Sequence, residues 1–271
     1  MSDQQIRLTL LGTGSSGGVP RVGGDWGACD PSEPKNRRRR CAALVETWNA
    51  ASPEEQTIIL IDTSPDMREQ LLDAEVTRLD AILFTHDHAD QTHGIDDVRA
   101  LVIRNRKQIK AYMDAPTHET LFPKFQYAFQ GDGGYPPILD LQPRLSAFTP
   151  LVLDGPGGKL DVLPIDQEHG RIRSLGFRFG PIAYCNDLNA LPEQSFEMLG
   201  GLDVLIIDAL RYTPHPSHAH LERTLGWIDR LQPKRAVLTN LHVDLDYQIL
   251  IKELPVGVEP AFDGWMCEAS A

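Results

Sequence analysis

The sequence lacks the features that mark membrane proteins and disulfide-rich secreted proteins. No stretch of its 271 residues comes near the roughly 18 to 20 uncharged apolar residues that a membrane helix needs, and the opening MSDQQIRLTLLGTG has no basic-then-apolar signal pattern. Cysteine is scarce. The four thiols lie far apart without a C-x-x-C pair, which argues against a zinc knuckle or a disulfide framework. We therefore expect a cytoplasmic protein with no membrane partner and with buried, unpaired cysteines.

The sequence also has few basic residues for its number of acidic ones. It contains 26 Lys and Arg and 38 Asp and Glu, which gives a formal net charge of −12. Such a charge repels a polyanion at long range and argues against broad nucleic-acid binding through phosphate contacts. The exception is the run KNRRRR at residues 35–40. Runs of this kind are usually solvated surface, and the alternative is an anion site. On that alternative, we expect Arg37, Arg38 and Arg39 to bind an anionic substrate.

Short apolar runs alternate with helix-like segments along the chain, and 41 % hydrophobic residues can form an ordinary core. Runs bounded by Gly, Pro or polar residues predict strands over 6–11, 42–46, 57–62, 81–84, 109–113, 160–164, 174–179, 182–184, 204–208 and 236–239. Helices are predicted over 64–72, where Pro65 marks a start, and over 95–104, 117–125 and 220–231. Two such halves predict an α/β fold of two packed sheets with helices outside. No low-complexity linker divides them, so we expect one domain over 1–271.

The segment FTHDHADQTHGID, residues 84–96, follows a predicted buried strand and concentrates metal-binding side chains. His86 and His88 are two residues apart, so both imidazoles can reach one ion only if the backbone is extended or looped, as it is at a strand end. Asp90 adds a hard oxygen ligand suited to zinc, manganese or iron. A single histidine is more often structural than a ligand, but H-x-H-x-D after an apolar strand predicts a metal site.

These motifs resemble those of the metallo-β-lactamase fold hydrolases. THDHAD is similar to the family signature H-x-H-x-D-H, and LGTGSSGG, IDT, QEHG, YCNDLNALPE, SHAHL, LTNLHVDLDY and FDG fall in the family's order. The resemblance extends through most of the chain and is closest to the phosphoribosyl cyclic phosphate phosphodiesterases. It implies an αββα sandwich of two mixed sheets with helices outside.

The resemblance also implies a ligand set. His86, His88 and His169 would hold one metal ion, and Asp187 would bridge toward a second ion that Asp90 also binds. His169 follows the apolar run LDVLPI in a polar loop and Asp187 follows PIAYC, so both side chains are expected at strand ends, where a rigid sheet can aim them. The alternative for Asp187 is a cap of the helix expected near Pro192.

His218 lies in SHAHL, at the predicted start of a helix, where anions are favoured. The resemblance implies that it contacts the substrate phosphate and protonates the leaving oxygen, while Asp90 orients the attacking water.

The chain departs from the family at two positions. Gln91 and Asn240 stand where the family has histidines that serve the second metal. Carboxamide oxygens are poor zinc ligands compared with imidazole, so we expect one strong site, for zinc or manganese, and a second site that is weak or empty. His93 and His242, each two residues past a replaced position, are alternative ligands.

We therefore predict a metal-dependent phosphodiesterase that acts on a small cyclic phosphate or nucleotide-like ester through metal-activated water. Two alternatives remain: a nuclease resembling the transfer-RNA 3′-processing enzymes, and a non-catalytic binding protein of the same fold. If the chain oligomerises, we expect a homodimer, the commonest assembly.

Overall fold

A computed structural model describes residues 4–270. The strands of this part of the chain are β1 (Gln4–Gly12), β2 (Ala42–Asn49), β3 (Ser52–Ile61), β4 (Ala81–Leu83), β5 (Ile109–Tyr112), β6 (Leu139–Leu141), β7 (Leu151–Gly155), β8 (Gly158–His169), β9 (Ile172–Phe179), β10 (Ile182–Cys185), β11 (Val204–Asp208), β12 (Arg235–Thr239), β13 (Val258–Pro260) and β14 (Met266–Ser270). The α-helices are α1 (Met67–Asp73), α2 (Ala89–Thr92), α3 (Arg99–Asn105), α4 (Ala115–Lys124), α5 (Gln126–Gln130), α6 (Glu193–Met198), α7 (Leu221–Leu231) and α8 (Tyr247–Glu253). Short 3-10 helices cover Pro34–Asn36 and Ile95–Val98.

The strands form two mixed sheets of seven strands each. The first sheet has the order β14-β1-β2-β3-β4-β5-β6 and the second has the order β13-β12-β11-β10-β9-β8-β7. In each sheet the strands that follow helical crossovers pair in parallel, β3 through β6 and β10 through β13, and the other neighbours pair antiparallel. The carboxyl ends of the parallel strands therefore lie along one side of each sheet, which is called its strand-end edge below.

Three hydrophobic clusters separate the layers. Leu8 and Val45 of the first sheet pack against Phe177 and Ile206 of the second, between the two sheets. A second cluster joins the outer face of the first sheet to α1, α3 and α4, and a third joins the second sheet to α7 and α8. These layers confirm the αββα sandwich. None of the helices within residues 4–270 is long and apolar enough to cross a bilayer.

The structure corrects one local expectation, the loop position of His169, and adds detail at two other positions. β8 extends to His169, so this residue ends a strand instead of lying in a loop, because pairing with β9 continues to the His169–Ile172 register. α7 begins at Leu221 with His220 as its N-cap, so His218 lies before the helix and not at its first turn. α6 has Pro192 as its N-cap, which removes the alternative role of Asp187 as a cap of that helix.

Candidate active site

Polar side chains gather where strands of both sheets end. His86 and His88 follow β4 of the first sheet, whereas His169 ends β8 and Asp187 follows β10 of the second. The sheets are joined at this edge by a hydrogen bond from the Leu175 N–H to the Thr85 carbonyl, 2.9 Å long. The edge therefore holds side chains from both halves of the sandwich at fixed positions.

Left-handed backbone turns aim several of these side chains. Asp62, Asp187 and Asn240 follow β3, β10 and β12 with φ of 62°, 54° and 62°. Asp and Asn tolerate this conformation better than other non-glycine residues. Their short polar side chains therefore turn away from the strand direction and into the site.

His86, His88 and His169 form a compact imidazole cluster. One nitrogen from each ring lies within 4.8 Å of the others, and the ring centroids are 4.5 to 5.0 Å apart with steep interplanar angles. His86 and His169 are buried, whereas His88 is exposed. The predicted ligand histidines are thus brought together at one point that opens to solvent on the His88 side.

The hydrogen bonds of the cluster leave nitrogen lone pairs directed inward. The Thr85 hydroxyl donates to Asp62 at 2.7 Å and accepts from Nδ1 of His86 at 2.9 Å, while Nδ1 of His169 donates to the Ser217 carbonyl at 2.7 Å. Fixing the proton on one ring nitrogen in this way leaves the other free for a metal. Nε2 of His86 is buried without any hydrogen-bond partner.

The cluster fits a divalent cation. Nε2 of His169 lies 3.2 Å from Nδ1 of His88, close to the roughly 3.3 Å expected between two nitrogens that share a tetrahedral zinc with bonds of about 2.0 to 2.1 Å. Burial, with the neighbouring imidazoles, lowers the pKa of His86, and burial with His218 nearby lowers the pKa of His169 to about 3. Neutral imidazoles are the form that binds metal.

Asp187 is held by carboxamides on both of its oxygens. Gln91 Nε2 and Asn186 Nδ2 donate to Oδ2 at 2.8 Å and 2.7 Å, and Asn240 Nδ2 donates to Oδ1 at 3.2 Å. The two positions where the family has histidines therefore carry hydrogen-bond donors that point at the carboxylate. Asp90 is linked to Asp187 through Gln91, because Gln91 Nε2 also lies 3.2 Å from Oδ2 of Asp90.

His218 lies beside the cluster, next to His169, and its ring is held by Asp208. Its Nδ1 lies 2.8 Å from Asp208 Oδ2 and 3.4 Å from Asp187 Oδ1, and its ring centroid is 4.7 Å from that of His169. Burial opposes the charged ring, but Asp208, with Asp187, outweighs it and raises the pKa of His218 to about 9. The free protein therefore carries an imidazolium at His218 beside the neutral imidazoles of His86 and His169 at neutral pH.

A comparison with models of protein families identifies the family of this chain. A family model described as a beta-lactamase superfamily domain matches residues 57–240, a range that includes His86, His88, His169, Asp187 and His218. The chain belongs to the metallo-β-lactamase superfamily.

A solved structure of a diphosphatase from the PhnP family is 34 % identical, with a TM-score of 0.87 and coverage of 98 % of this chain and 97 % of that one. Zn²⁺-bound PqqB from Methylobacterium extorquens has a TM-score of 0.69 at 16 % identity, with coverage of 96 % of this chain and 99 % of that one, and shares the fold alone. An octanoyltransferase of Porphyromonas gingivalis (strain ATCC BAA-308 / W83) is 31 % identical over 264 residues, 96 % of this chain and 51 % of the relative. The chain thus spans about half the length of that curated relative.

The two histidines that were predicted as alternative ligands of a second metal contact other side chains in this metallo-β-lactamase fold. His93 packs against Phe125, with ring centroids 5.7 Å apart, and His242 contacts Arg21 and Asp244. Within residues 4–270, neither they nor Asp90 belongs to the two sets of ligand atoms that lie within 4.8 Å of one another, which are His86–His88–His169 and His169–Asp187–His218.

The basic run makes contacts away from the imidazole cluster. Arg38 is buried, with its guanidinium near Cys29 Sγ and the Asn36 side chain, and Arg39 pairs with two acidic side chains, those of Asp73 and Asp263. Arg37 lies over the Trp26 ring. No hydrogen bond, ion pair or ring contact within residues 4–270 joins these arginines to the cluster, so their predicted contact with substrate gains no support from the geometry.

Sequence reasoning missed Asp208 and Asn186. Asp208 closes the apolar strand β11, VLIID, just as Asp62 follows the apolar strand in IDT. A polar residue that ends a buried strand on the same edge as the histidines was therefore an available signal. Asn186 carries no comparable signal, because an asparagine before Asp187 is ordinary in a turn.

Proposed function

We propose that this chain is a metal-dependent hydrolase of small phosphate compounds that cleaves a P–O bond in a phosphodiester or in the anhydride of a diphosphate. The observation that carries the proposal is the position of His218 beside the imidazole cluster, with Nδ1 committed to Asp208 at 2.8 Å. Its Nε2 is then the ring atom left to donate a proton to a leaving oxygen. The diphosphatase of the PhnP family, similar over nearly its whole length, supports phosphoryl chemistry.

Each residue of the site has a separate role in the proposed hydrolysis. His86, His88 and His169 hold the cation, which when bound supplies a nucleophile from water at neutral pH and polarises a phosphoryl oxygen. Asp90 would orient the attacking water. His218 contacts the phosphoryl group and protonates the leaving oxygen, and Asp208 keeps the imidazole in the orientation that allows this.

One strongly bound cation suffices for this scheme. Three amide donors use the oxygens of Asp187 that a bridging carboxylate would turn toward two ions, so a second ion would have to displace them. Three imidazole ligands favour zinc, and manganese is the alternative with a harder ligand set. We therefore expect one tightly bound metal per chain.

The name of the curated octanoyltransferase gives no second candidate, because the matched segment is only half of that protein. The decisive assay is hydrolysis of bis(p-nitrophenyl) phosphate and of adenosine 2′,3′-cyclic phosphate by protein of measured metal content. Hydrolysis should require the metal and should vanish in His86→Ala. A fully loaded protein that cleaves neither compound would contradict the proposal and favour a binding protein of the same fold.

A further inference from the structure

The turn that carries Asp187 is held by buried side chains of two neighbouring strands. Asp187 follows β10 with a φ of 54°, a left-handed conformation that a non-glycine residue keeps only when its surroundings hold it there. The Asn186 carbonyl accepts from Nε2 of Gln167 on β8 at 2.9 Å, and the Asp187 carbonyl accepts from Oγ of Ser174 on β9 at 2.7 Å. Two consecutive backbone carbonyls of the turn are therefore tied to the sheet.

Gln167 and Ser174 form a hydrogen-bond relay with a defined direction. They face each other across β8 and β9, both are fully buried, and Nε2 of Gln167 lies 3.1 Å from Oγ of Ser174. Because the Ser174 hydroxyl donates its only proton to the Asp187 carbonyl, it must accept from the amide. The amide therefore gives one N–H to Ser174 and the other to the Asn186 carbonyl, and each bond of the relay strengthens the next.

The amide of Gln167 is kept at a cost to stability. Within the described part of the chain, its Oε1 is buried without a hydrogen-bond partner, and an unpaired buried acceptor destabilises the folded state. Gly176 leaves room for this oxygen, because a Cβ atom at that position would lie 2.5 Å from it. An apolar side chain of similar length would avoid the unpaired oxygen, so the reason for an amide here lies in what its N–H groups hold.

The conformation of the turn sets where the Asp187 carboxylate lies. One of its oxygens lies within 4.8 Å of the ligand nitrogens of His169 and His218. A carboxylate offers about four acceptor positions, and three amide N–H groups take three of them, so one is left for a cation at the imidazole cluster. A turn that relaxed out of the left-handed region would move this oxygen away from His169.

We propose that Gln167 and Ser174 are positioning residues that hold the Asp187 turn in its left-handed conformation and thereby raise the affinity of the site for its cation. Each acts through a backbone carbonyl of the turn and not through a contact with the metal. The inference rests on the metal site of the proposed function. Replacing a residue that orients a metal ligand typically weakens metal binding or activity 10- to 100-fold.

Zinc affinity, measured by competition with a chromogenic chelator, tests the inference without requiring turnover. Ser174→Ala and Gln167→Met should each raise the dissociation constant for zinc about 10- to 100-fold. Ser174→Thr keeps the hydroxyl and should bind zinc nearly as tightly as the wild-type protein. Ser195→Ala is the matched control, because it removes another buried hydroxyl that donates to a backbone carbonyl, that of Asp166, at 2.6 Å. It should leave the zinc affinity unchanged.

Thermal unfolding of the zinc-free proteins separates positioning from general stability. Gln167→Met removes the unpaired oxygen, so its Tm should stay close to the wild-type value although its zinc affinity falls. A Tm that falls in step with the zinc affinity would overturn the proposal in favour of a purely structural role. Unchanged zinc affinity in both Ser174→Ala and Gln167→Met would also overturn it, as would an equal loss in Ser195→Ala.

Hydrolysis of bis(p-nitrophenyl) phosphate is scored separately. A protein that shows the expected order of zinc affinities but no hydrolysis keeps the positioning role and loses the proposed function. Hydrolysis with equal zinc affinities in all variants does the reverse.

Discussion

The candidate active site contains two chemically different groups of side chains, imidazoles and carboxamides. The imidazoles present nitrogen lone pairs to a cation, whereas Gln91, Asn186 and Asn240 present N–H groups to Asp187. A carboxylate that accepts three such bonds is stabilised in place without a second ion. At the scale of single residues, we therefore expect the number of bound metal ions to depend on which atom of each side chain faces Asp187.

Restoring the two imidazoles should create the second site. Gln91→His with Asn240→His should raise the number of tightly bound zinc ions from one to two per chain, as counted by elemental analysis after dialysis. Each single substitution should do less, because neighbouring ligands are not additive. Gln91→Ala, which removes an amide without adding a ligand, is the matched control. Two tightly bound ions in the unmodified protein would show that the amides do not exclude the second metal.

His218 should matter most when the leaving group is poor. His218→Ala should lower kcat for adenosine 2′,3′-cyclic phosphate by about 10² to 10⁴-fold, the usual range for a lost general acid, and far less for bis(p-nitrophenyl) phosphate, whose nitrophenolate leaves readily without a proton. Asp208→Asn should show the same pattern to a smaller degree. Equal losses on both substrates would point to a role in binding instead of proton transfer.

Among the elements, α8 is fastened to the loop before β2 by its own cap. Asp246 accepts from the Ile249 N–H at 3.0 Å as an N-cap, and its other oxygen accepts from the Asp30 N–H at 3.0 Å and from Asn36 Nδ2 at 2.6 Å. α4 has a simpler cap, Asp114, whose side chain accepts from the Thr117 N–H at 2.9 Å. The two caps form a natural pair for comparison.

Asp246→Ala should lower the free energy of unfolding by about 2 to 4 kcal/mol, because it removes a cap and leaves buried donors unpaired. Asp114→Ala should cost about 1 kcal/mol. Burial opposes the Asp246 carboxylate, but its hydrogen bonds prevail and lower its pKa. Its contribution is therefore complete above the ordinary aspartate pKa of about 3.9 and is lost as the pH falls through the lowered value in the folded state. Urea unfolding at neutral and acidic pH measures both effects, and equal costs for the two variants at neutral pH would contradict the expectation.

Strands with strong apolar runs could be predicted from the sequence, whereas weakly patterned edge elements could not. Residues 204–208 match β11 fully, and residues 236–239 miss only the first residue of β12. β6, β13 and β14 are short and lie at or near sheet edges, where only part of the strand is buried, so they show no continuous apolar run. The imidazole cluster followed from motif spacing and resemblance, but the contact between Asn240 and Asp187 depends on left-handed turns at both residues, which no local pattern specifies.

At the scale of the whole molecule, a cation at the cluster would join the two sheets. His86 and His88 belong to the first sheet and His169 to the second. Separation of the sheets would therefore break ligand bonds, and metal binding should stabilise the folded state by mass action.

Zinc at about 100 times its dissociation constant should add roughly 2.7 kcal/mol, which corresponds to a rise in Tm of about 5 to 10 °C for a chain of this size. His169→Ala should abolish both the bound metal and the rise. His118→Ala, on α4 where the ring packs on Phe122, should retain both. Calorimetric scans with and without zinc provide the measurement, and a wild-type-like metal content in His169→Ala would refute the ligand assignment.

The division of the site between the sheets also makes this chain a natural split reporter. A cut between β6 and β7 would leave His86 and His88 on one fragment, and His169, Asp187 and His218 on the other. The second fragment would also carry β14, which pairs with β1 at the far edge of the first sheet. Neither piece holds a complete ligand set, so product would form only after two separately made polypeptides had met. Enzymatic turnover would then report each encounter between the two proteins to which the fragments are fused, because many product molecules would form per encounter.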